Sequence, residues 1–218
     1  MSEFFTASQK QLQHKFDSVA LANRIADATV RANISDEQAS FIHARNCFYL
    51  ATVDEAGFPS SSYKGGDAGF VRVINPTTLV FPNYDGNGMF LSIGNIEAQA
   101  KVGLLFIDHQ TPQRIRLKGT ARCIDSGPLM ESYPGANLVV ELAVQYVWVN
   151  CPRYVHRMQL IEQSPYIPDA QGHAQLALWK RIDVLQDVLT PADQMAAQKS
   201  GLITIEAYES RVAQGITT

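Results

Sequence analysis

Apolar and polar positions alternate through the middle of the chain, whereas helical spacing is found towards its ends. Residues 5–32 carry apolar side chains in roughly amphipathic register, and Ser35-Asp36-Glu37 is typical of the start of a second helix. Period-two or continuously apolar runs predict seven extended segments: 47–53, 58–64, 70–74, a run ending at 81, 102–108, 114–124 and 138–149. Near the C-terminus, Thr190-Pro191 resembles a helix N-cap followed by proline, and 183–188 is predicted to be helical. Short antiparallel strands with one inserted helix indicate a mainly β (α+β) fold, a small barrel rather than a βαβ sheet.

The stretch 81–108 contains the strongest local signal for a ligand. A strand leads into the turn 85–88 (Asp-Gly-Asn-Gly), and Met89, Phe90 and Ile93 then follow at helical spacing, with Gly94-Asn95 as an expected stop. A turn that opens a helix beside a sheet presents backbone N–H groups to an anion such as phosphate. The alternative is an ordinary type I′ hairpin turn, which favours the same dipeptides.

Composition limits the organisation and the possible partners. A chain of 218 residues with 46% hydrophobic and 18% charged residues can form one well-buried core, so we expect a single domain over 1–218. Within it we expect a helical segment at 1–45, the barrel core at 46–160, and a loop with a helical extension at 161–218. The net charge of −3 argues against a nucleic-acid groove.

Four basic residues nevertheless alternate along one predicted strand: Arg114, Arg116, Lys118 and Arg122. They fit a local site for a small phosphorylated ligand or a solvated strand face. We expect Lys118 to meet solvent.

Neither a targeting segment nor a metal centre is indicated. The first residues lack a basic stretch followed by an apolar run, and 138–149 is too short to span a membrane, so we expect a soluble, cytoplasmic protein. Cys47, Cys123 and Cys151 form no C-x-x-C pair, and the histidines lack metal-ligand spacing. No nucleophile elbow or phosphate loop of the G-x-x-x-x-G-K type is present.

An ordered set of motifs resembles a known family. The motifs are FIHARNCFYLATVDEAGFP (41–59), KGG (64–66), TLVFPNYDGNGMF (78–90), GNI and VGLLFID. They are similar to the pyridoxamine 5′-phosphate oxidase-related FMN-binding split-barrel family, in particular its DGNGM-type bacterial branch. The resemblance implies a homodimer of six-stranded split barrels with FMN bound at the subunit interface.

The resemblance also implies which residues would hold the flavin: Ser62, Tyr63, Lys64, Gly65, Tyr84, Asp85, Gly86, Asn87, Gly88, Met89, Ser92, Arg114 and Arg116. The turn would hold the phosphate, with Asn87 and Gly88 standing where relatives carry Arg-Lys. Arg114 matches a residue that contacts the flavin ring in similar proteins, although both arginines also fit a solvated strand face.

A second candidate site follows the last strand. Trp148, Cys151, Arg153, Tyr154 and His156 are candidates for contacts with the partner subunit's flavin or with a substrate anion. The alternative is a strand and loop at the dimer interface in which Cys151 is a small buried hydrophobe.

The resemblance implies an FMN-dependent oxidoreductase for an unidentified small molecule, with NAD(P)H as a candidate electron donor. Pyridoxamine 5′-phosphate oxidase activity itself is not expected, because Arg153-Tyr154-Val155-His156 has one residue more than that enzyme's Arg-x-His substrate motif. The alternative function is non-catalytic flavin binding, storage or sensing.

Overall fold

The computed structural model describes residues 4–216, which form two compact units. The larger unit contains residues 4–130 and 137–159, and the smaller one contains 131–136 and 160–216. Within the described residues, no helix is both long and apolar enough to cross a bilayer.

One seven-stranded antiparallel sheet dominates the larger unit. Its strands are β1 (Cys47–Val53), β2 (Pro59–Gly65), β3 (Arg72–Asn75), β4 (Thr78–Tyr84), β5 (Lys101–Asp108), β6 (Gln113–Ile124) and β7 (Ala136–Asn150). They are arranged in the order β2-β1-β5-β6-β7-β4-β3, so β2 and β3 are the two outer strands. The mainly β (α+β) class is confirmed. The seven strands agree with the hydrophobic pattern rather than with the six that the resemblance implied.

Four helices flank this sheet: α1 (Ala7–Lys15), α2 (Val19–Thr29), α3 (Asp36–His43) and α4 (Leu91–Gln99); a short α5 follows β6 (Pro128–Glu131). The helical pattern over 5–32 does not form one continuous helix, because Asp17 takes a φ of 49° between α1 and α2. Helix α3 starts as predicted, with Ser35 and Gln38 forming a reciprocal capping box.

The inward face of the sheet carries the core. Phe48, Leu50, Leu104, Phe106 and Leu117 alternate with exposed or partly exposed neighbours on β1, β5 and β6 and are almost fully buried. Helix α4 adds Ile93 and Ile96 to this core. That packing fixes the first turn of α4 beside β1 and β2.

The smaller unit is made of short helices. Two 3₁₀ helices (Leu178–Arg181 and Asp183–Val188) precede α6 (Pro191–Ser200) and α7 (Ile205–Ala213). Thr190 caps α6 through its hydroxyl, with Pro191 at the first helical position, as predicted.

Candidate functional site

The predicted turn and helix form, but the helix boundaries differ from those expected. Met89 and Phe90 lie before α4, and Phe90 takes a left-handed conformation with a φ of 49°. Gly94 and Asn95 lie inside the helix instead of ending it. The reason is tertiary, since the Asn95 side-chain amide donates to the Thr52 hydroxyl at 3.0 Å. Sequence reasoning missed this pair, although a threonine in the buried row of β1 was a signal that a polar partner was needed.

The first turn of α4 has no side-chain cap. Phe90 occupies the N-cap position, and its side chain makes no hydrogen bond to the first N–H groups of the helix. In α1 and α3, by contrast, a side-chain hydroxyl accepts such a bond. The first N–H groups of a helix lack partners within the helix and attract negative charge. This end of α4 is therefore chemically suited to an anion.

Strand β2 brings a hydroxyl to the start of this helix. The Ser62 and Ser92 hydroxyl oxygens are 3.0 Å apart, and Ser92 is buried in the first turn. Two predicted residues from distant parts of the sequence thus meet where the uncapped helix begins.

Lys64 lies on the same side of β2 as Ser62, two residues further along. Its side chain is half-buried, and burial lowers the pKa of the ammonium group from its ordinary value. Within residues 4–216, Lys64 has neither a carboxylate partner nor a side-chain hydrogen bond. A partly desolvated cation without a counter-ion is a suitable partner for a bound anion.

The other two predicted residues of β2 face the opposite way. Tyr63 and Gly65 point to the outward face, where Tyr63 contacts Tyr49 edge-on and its ring lies against Gly65. Burial, followed by the hydrogen bond with Cys47, raises the pKa of Tyr63 to about 12. The four predicted residues of this strand therefore divide between two faces of the sheet.

The turn itself is open to solvent. Asp85, Gly86, Asn87, Gly88 and Met89 are all exposed. The Asn87 side-chain oxygen accepts the N–H of Met89 at 3.2 Å, so this oxygen stabilises the turn and leaves only the amide NH₂ for a ligand. Tyr84, where β4 ends, is half-buried, and burial, with a smaller contribution from Asp67, raises its pKa.

Arg114 and Arg116 lie on the outward face of β6, three strands away from β2. That separation is about 14 Å at the usual strand spacing. Arg114 donates to the backbone carbonyls of Cys151 and Arg153, at 3.1 and 3.5 Å. Arg116 packs over the ring of Trp148 at 5.1 Å.

We expected Lys118 to meet solvent, but its side chain is half-buried. Its ammonium lies 4.9 Å from the ring centres of Phe4 and Tyr146. The predicted site residues thus separate into an inward group around Lys64 and an outward group around Arg116.

The loop after β7 holds the second set of predicted residues. Cys151 is exposed in the single chain, and its burial at a dimer interface stays a prediction. A hydrogen bond from the Arg153 backbone lowers the pKa of its thiol, and the charges of Arg153 and Arg114 add to this effect. Tyr154 is 89% exposed, and the His156 carbonyl lies 3.4 Å from His109 Nδ1.

The solved structures to which this chain is similar share low sequence identity with it. HupZ of Group A Streptococcus is 19% identical, with a TM-score of 0.46, over 58% of this chain and 99% of that one. An FMN-binding protein of Syntrophomonas wolfei is 12% identical, with a TM-score of 0.39, over 64% and 97%. HutZ, described as the heme storage protein of Vibrio cholerae, is 18% identical, with a TM-score of 0.37, over 53% and 94%. Similarity at this level says nothing about the ligand of this chain.

No curated protein matches the sequence. The profile of the family described as pyridoxamine 5′-phosphate oxidase, in contrast, matches residues 34–171. This range begins just before α3 and contains the whole seven-stranded sheet, the uncapped start of α4 and Lys64. Because the match covers more than half of the sequence, the chain belongs to the pyridoxamine 5′-phosphate oxidase family.

Proposed function

We propose that this chain binds FMN and holds its phosphate with Lys64, the Ser62 and Ser92 hydroxyls, and the N–H groups that open α4. The observation that carries the proposal is Lys64, a half-buried ammonium that has no counter-ion within residues 4–216. Family membership and the uncapped helix support it.

The residues present fit a phosphate group. Burial penalises an unpaired ammonium, and a phosphate dianion beside it relieves that penalty. Two hydroxyls and the start of a helix add neutral donors of the kind that bind phosphate. Asn87 and Gly88 add no charge, so a single lysine supplies the positive charge of the group around Ser62 and Ser92.

We further propose that the protein is an FMN-dependent oxidoreductase acting on an unidentified small molecule. Bound FMN supplies hydride and electron transfer, while the protein binds and orients the reactants. The role of the chain's own residues is to anchor the phosphate end, with Ser62 and Ser92 fixed by the packing of α4.

The phosphate assignment is tested by comparing FMN with riboflavin, which lacks the phosphate. Lys64→Ala should weaken FMN binding about tenfold or more, the cost of losing a charge-assisted hydrogen bond, and leave riboflavin binding unchanged. Quenching of flavin fluorescence measures both affinities. Lys101→Ala, which removes an exposed lysine at the start of β5, is the matched control and should behave as the wild type.

Equal losses for FMN and riboflavin in Lys64→Ala would contradict a phosphate contact at Lys64. The double variant Lys64→Ala/Asn87→Ala should lose further FMN affinity, because Asn87→Ala removes the oxygen that accepts the Met89 N–H in the turn.

Bleaching of the bound flavin by NADH or NADPH, with recovery in air, would support an oxidoreductase. A protein that binds FMN tightly but is reduced by neither donor would instead fit flavin storage or sensing.

A further inference from the structure

Helix α4 begins without the local features that usually hold a first turn in place. Its N-cap residue, Phe90, takes a left-handed conformation and caps no N–H group with its side chain, and Gly94 lies inside the helix. Glycine weakens a helix interior, and a helix of nine residues is marginal on its own. The position of this turn must therefore come from its contacts with the sheet.

Two side-chain contacts join this part of α4 to the sheet. The Ser92 and Ser62 hydroxyl oxygens are 3.0 Å apart, and the Asn95 amide donates to the Thr52 hydroxyl at 3.0 Å. Ser92 and Asn95 are three residues apart, so they lie on one face of the helix. Thr52 lies opposite Ser60 in the β1–β2 ladder, two positions from the row of Ser62. The two contacts therefore run side by side from one helix face to two paired strands.

The two contacts respond differently to a bound phosphate. Ser62 and Ser92 are proposed phosphate donors, and a hydroxyl that gives its single proton to phosphate no longer donates to the other serine. The Thr52 hydroxyl, in contrast, belongs to a residue that is only 2% exposed, and its partner Asn95 lies a turn further along α4. The bond between Thr52 and Asn95 can therefore stay in place while the serines turn to the ligand.

Thr52 places a hydroxyl in a row of β1 that is otherwise apolar. Phe48 and Leu50, which precede it in this row, are fully buried. Burying a hydroxyl costs free energy unless it forms a hydrogen bond, and the net gain from that bond is small. The bond is directional, however, whereas the apolar packing of Ile93 and Ile96 is not. It is therefore better suited to orient α4 than to stabilise the fold.

We propose that Thr52 and Asn95 are positioning residues for the FMN phosphate, which keep the first turn of α4 aligned with β2. The inference rests on the FMN site proposed above and adds the pair that holds its two halves in register. Ser92 belongs to the helix, whereas Ser62 and Lys64 belong to the outer strand β2. Binding groups must be held within about 0.5 Å of their productive geometry, so a small shift of α4 weakens the phosphate contacts without unfolding the protein.

Fluorescence titration of the full-length Thr52→Val protein with FMN and riboflavin tests the pair. FMN affinity should fall about fivefold, the equivalent of one neutral hydrogen bond, whereas riboflavin affinity should not change. Thr52→Ser keeps the hydroxyl and should bind FMN as the wild type does. Val139→Ala, at a fully buried position of β7, is the matched control, because its cavity lowers stability but should leave both affinities unchanged.

A double-variant comparison shows whether the two residues act through their bond. Asn95→Ala should cause the same loss of FMN affinity as Thr52→Val, and the double variant should lose no more, since all three lack the same hydrogen bond. Hydrogen exchange without flavin gives a readout that needs no ligand. The Gly94 N–H, which donates to the Phe90 carbonyl at 2.7 Å, should exchange faster in Thr52→Val, while α3 keeps its protection.

Several results would overturn the positioning role. They are additive losses in the double variant, unchanged exchange at Gly94, and equal losses of FMN and riboflavin affinity in Thr52→Val. If Thr52→Val keeps wild-type FMN affinity while Lys64→Ala loses it, the phosphate site stands and the positioning role fails. If Lys64→Ala instead weakens FMN and riboflavin equally, the phosphate site itself fails, and the positioning role fails with it.

Discussion

Asp108 is held as a carboxylate at the end of β5. Burial alone would raise its pKa, but hydrogen bonds from Thr111 and the ion pair with Arg45 outweigh burial and lower the pKa to about 2. The Arg45 and Asp108 atoms are 2.7 Å apart, with 18% and 16% of the side chains exposed. Since the unfolded value is near 3.9, this carboxylate stabilises the fold above about pH 4, and the contribution is lost as pH falls towards 2.

Asp108→Asn should therefore lower the free energy of unfolding by about 2 kcal/mol at pH 7. The difference from the wild type should shrink below pH 4 and vanish near the pKa of about 2. Urea denaturation at several pH values measures it. Glu55→Gln, at an exposed turn position, is the control with no expected change. A difference that persists unchanged at pH 2 would show that the carboxylate charge is not responsible.

Some of the site residues were predictable from the ordered motifs that carry the family resemblance. The resemblance singled out Ser62, Lys64 and Ser92, and the structure brings Ser62 and Ser92 into contact. The exposure of Cys151 was not predictable, because a short loop with an apolar strand before it gives no signal of which side chains it buries. Its electropositive surroundings depend on Arg114, which lies 37 positions away in sequence.

Strands β5 and β6 contain two glycines with opposite tolerances. At Gly119 an added Cβ would lie 2.0 Å from the Ala143 carbonyl oxygen, because the register between β6 and β7 shifts between Lys118 and Gly119. At Gly103 the nearest atoms are 3.8 Å away. Gly119→Ala should therefore cost about 2 kcal/mol or more, whereas Gly103→Ala should cost less than about 1 kcal/mol.

Thermal and urea unfolding of these two variants measure the difference. Since both replace glycine by alanine in adjacent strands, general effects on strand propensity cancel in the comparison. Equal stability of the two variants would mean that the β6–β7 shift relaxes to accept a side chain.

Strand positions were predictable because alternation with a buried face is a local signal. β1 was predicted with the bounds that it has, Cys47–Val53, and the seven extended segments correspond to the seven strands. Helix ends were less predictable where tertiary contacts decide them. The local sequence Gly94-Asn95 is typical of a helix C-terminus. Both residues are nevertheless helical, and the Asn95 side chain forms a hydrogen bond with Thr52.

At the scale of the whole molecule, sequence reasoning has least to work with. The division into two compact units brings 131–136 together with 160–216, a grouping that no local pattern indicates. The single domain and the homodimer stay predictions, and light scattering coupled to size-exclusion chromatography measures the latter.

The smaller unit offers a test of whether the two units unfold separately. Lys180 is 6% exposed, and its ammonium is 3.0 Å from both carboxylate oxygens of Asp193, in the same unit. Removing the carboxylate leaves a buried ammonium without its ion pair, which is strongly destabilising.

Asp193→Asn should lower local stability by about 2 kcal/mol or more, with Asp187→Asn, at an exposed position nearby, as the control. Hydrogen exchange should show protection lost across 160–216 but retained in β1–β7, with FMN affinity unchanged. Simultaneous loss of protection in the sheet would show instead that the two units unfold as one cooperative structure.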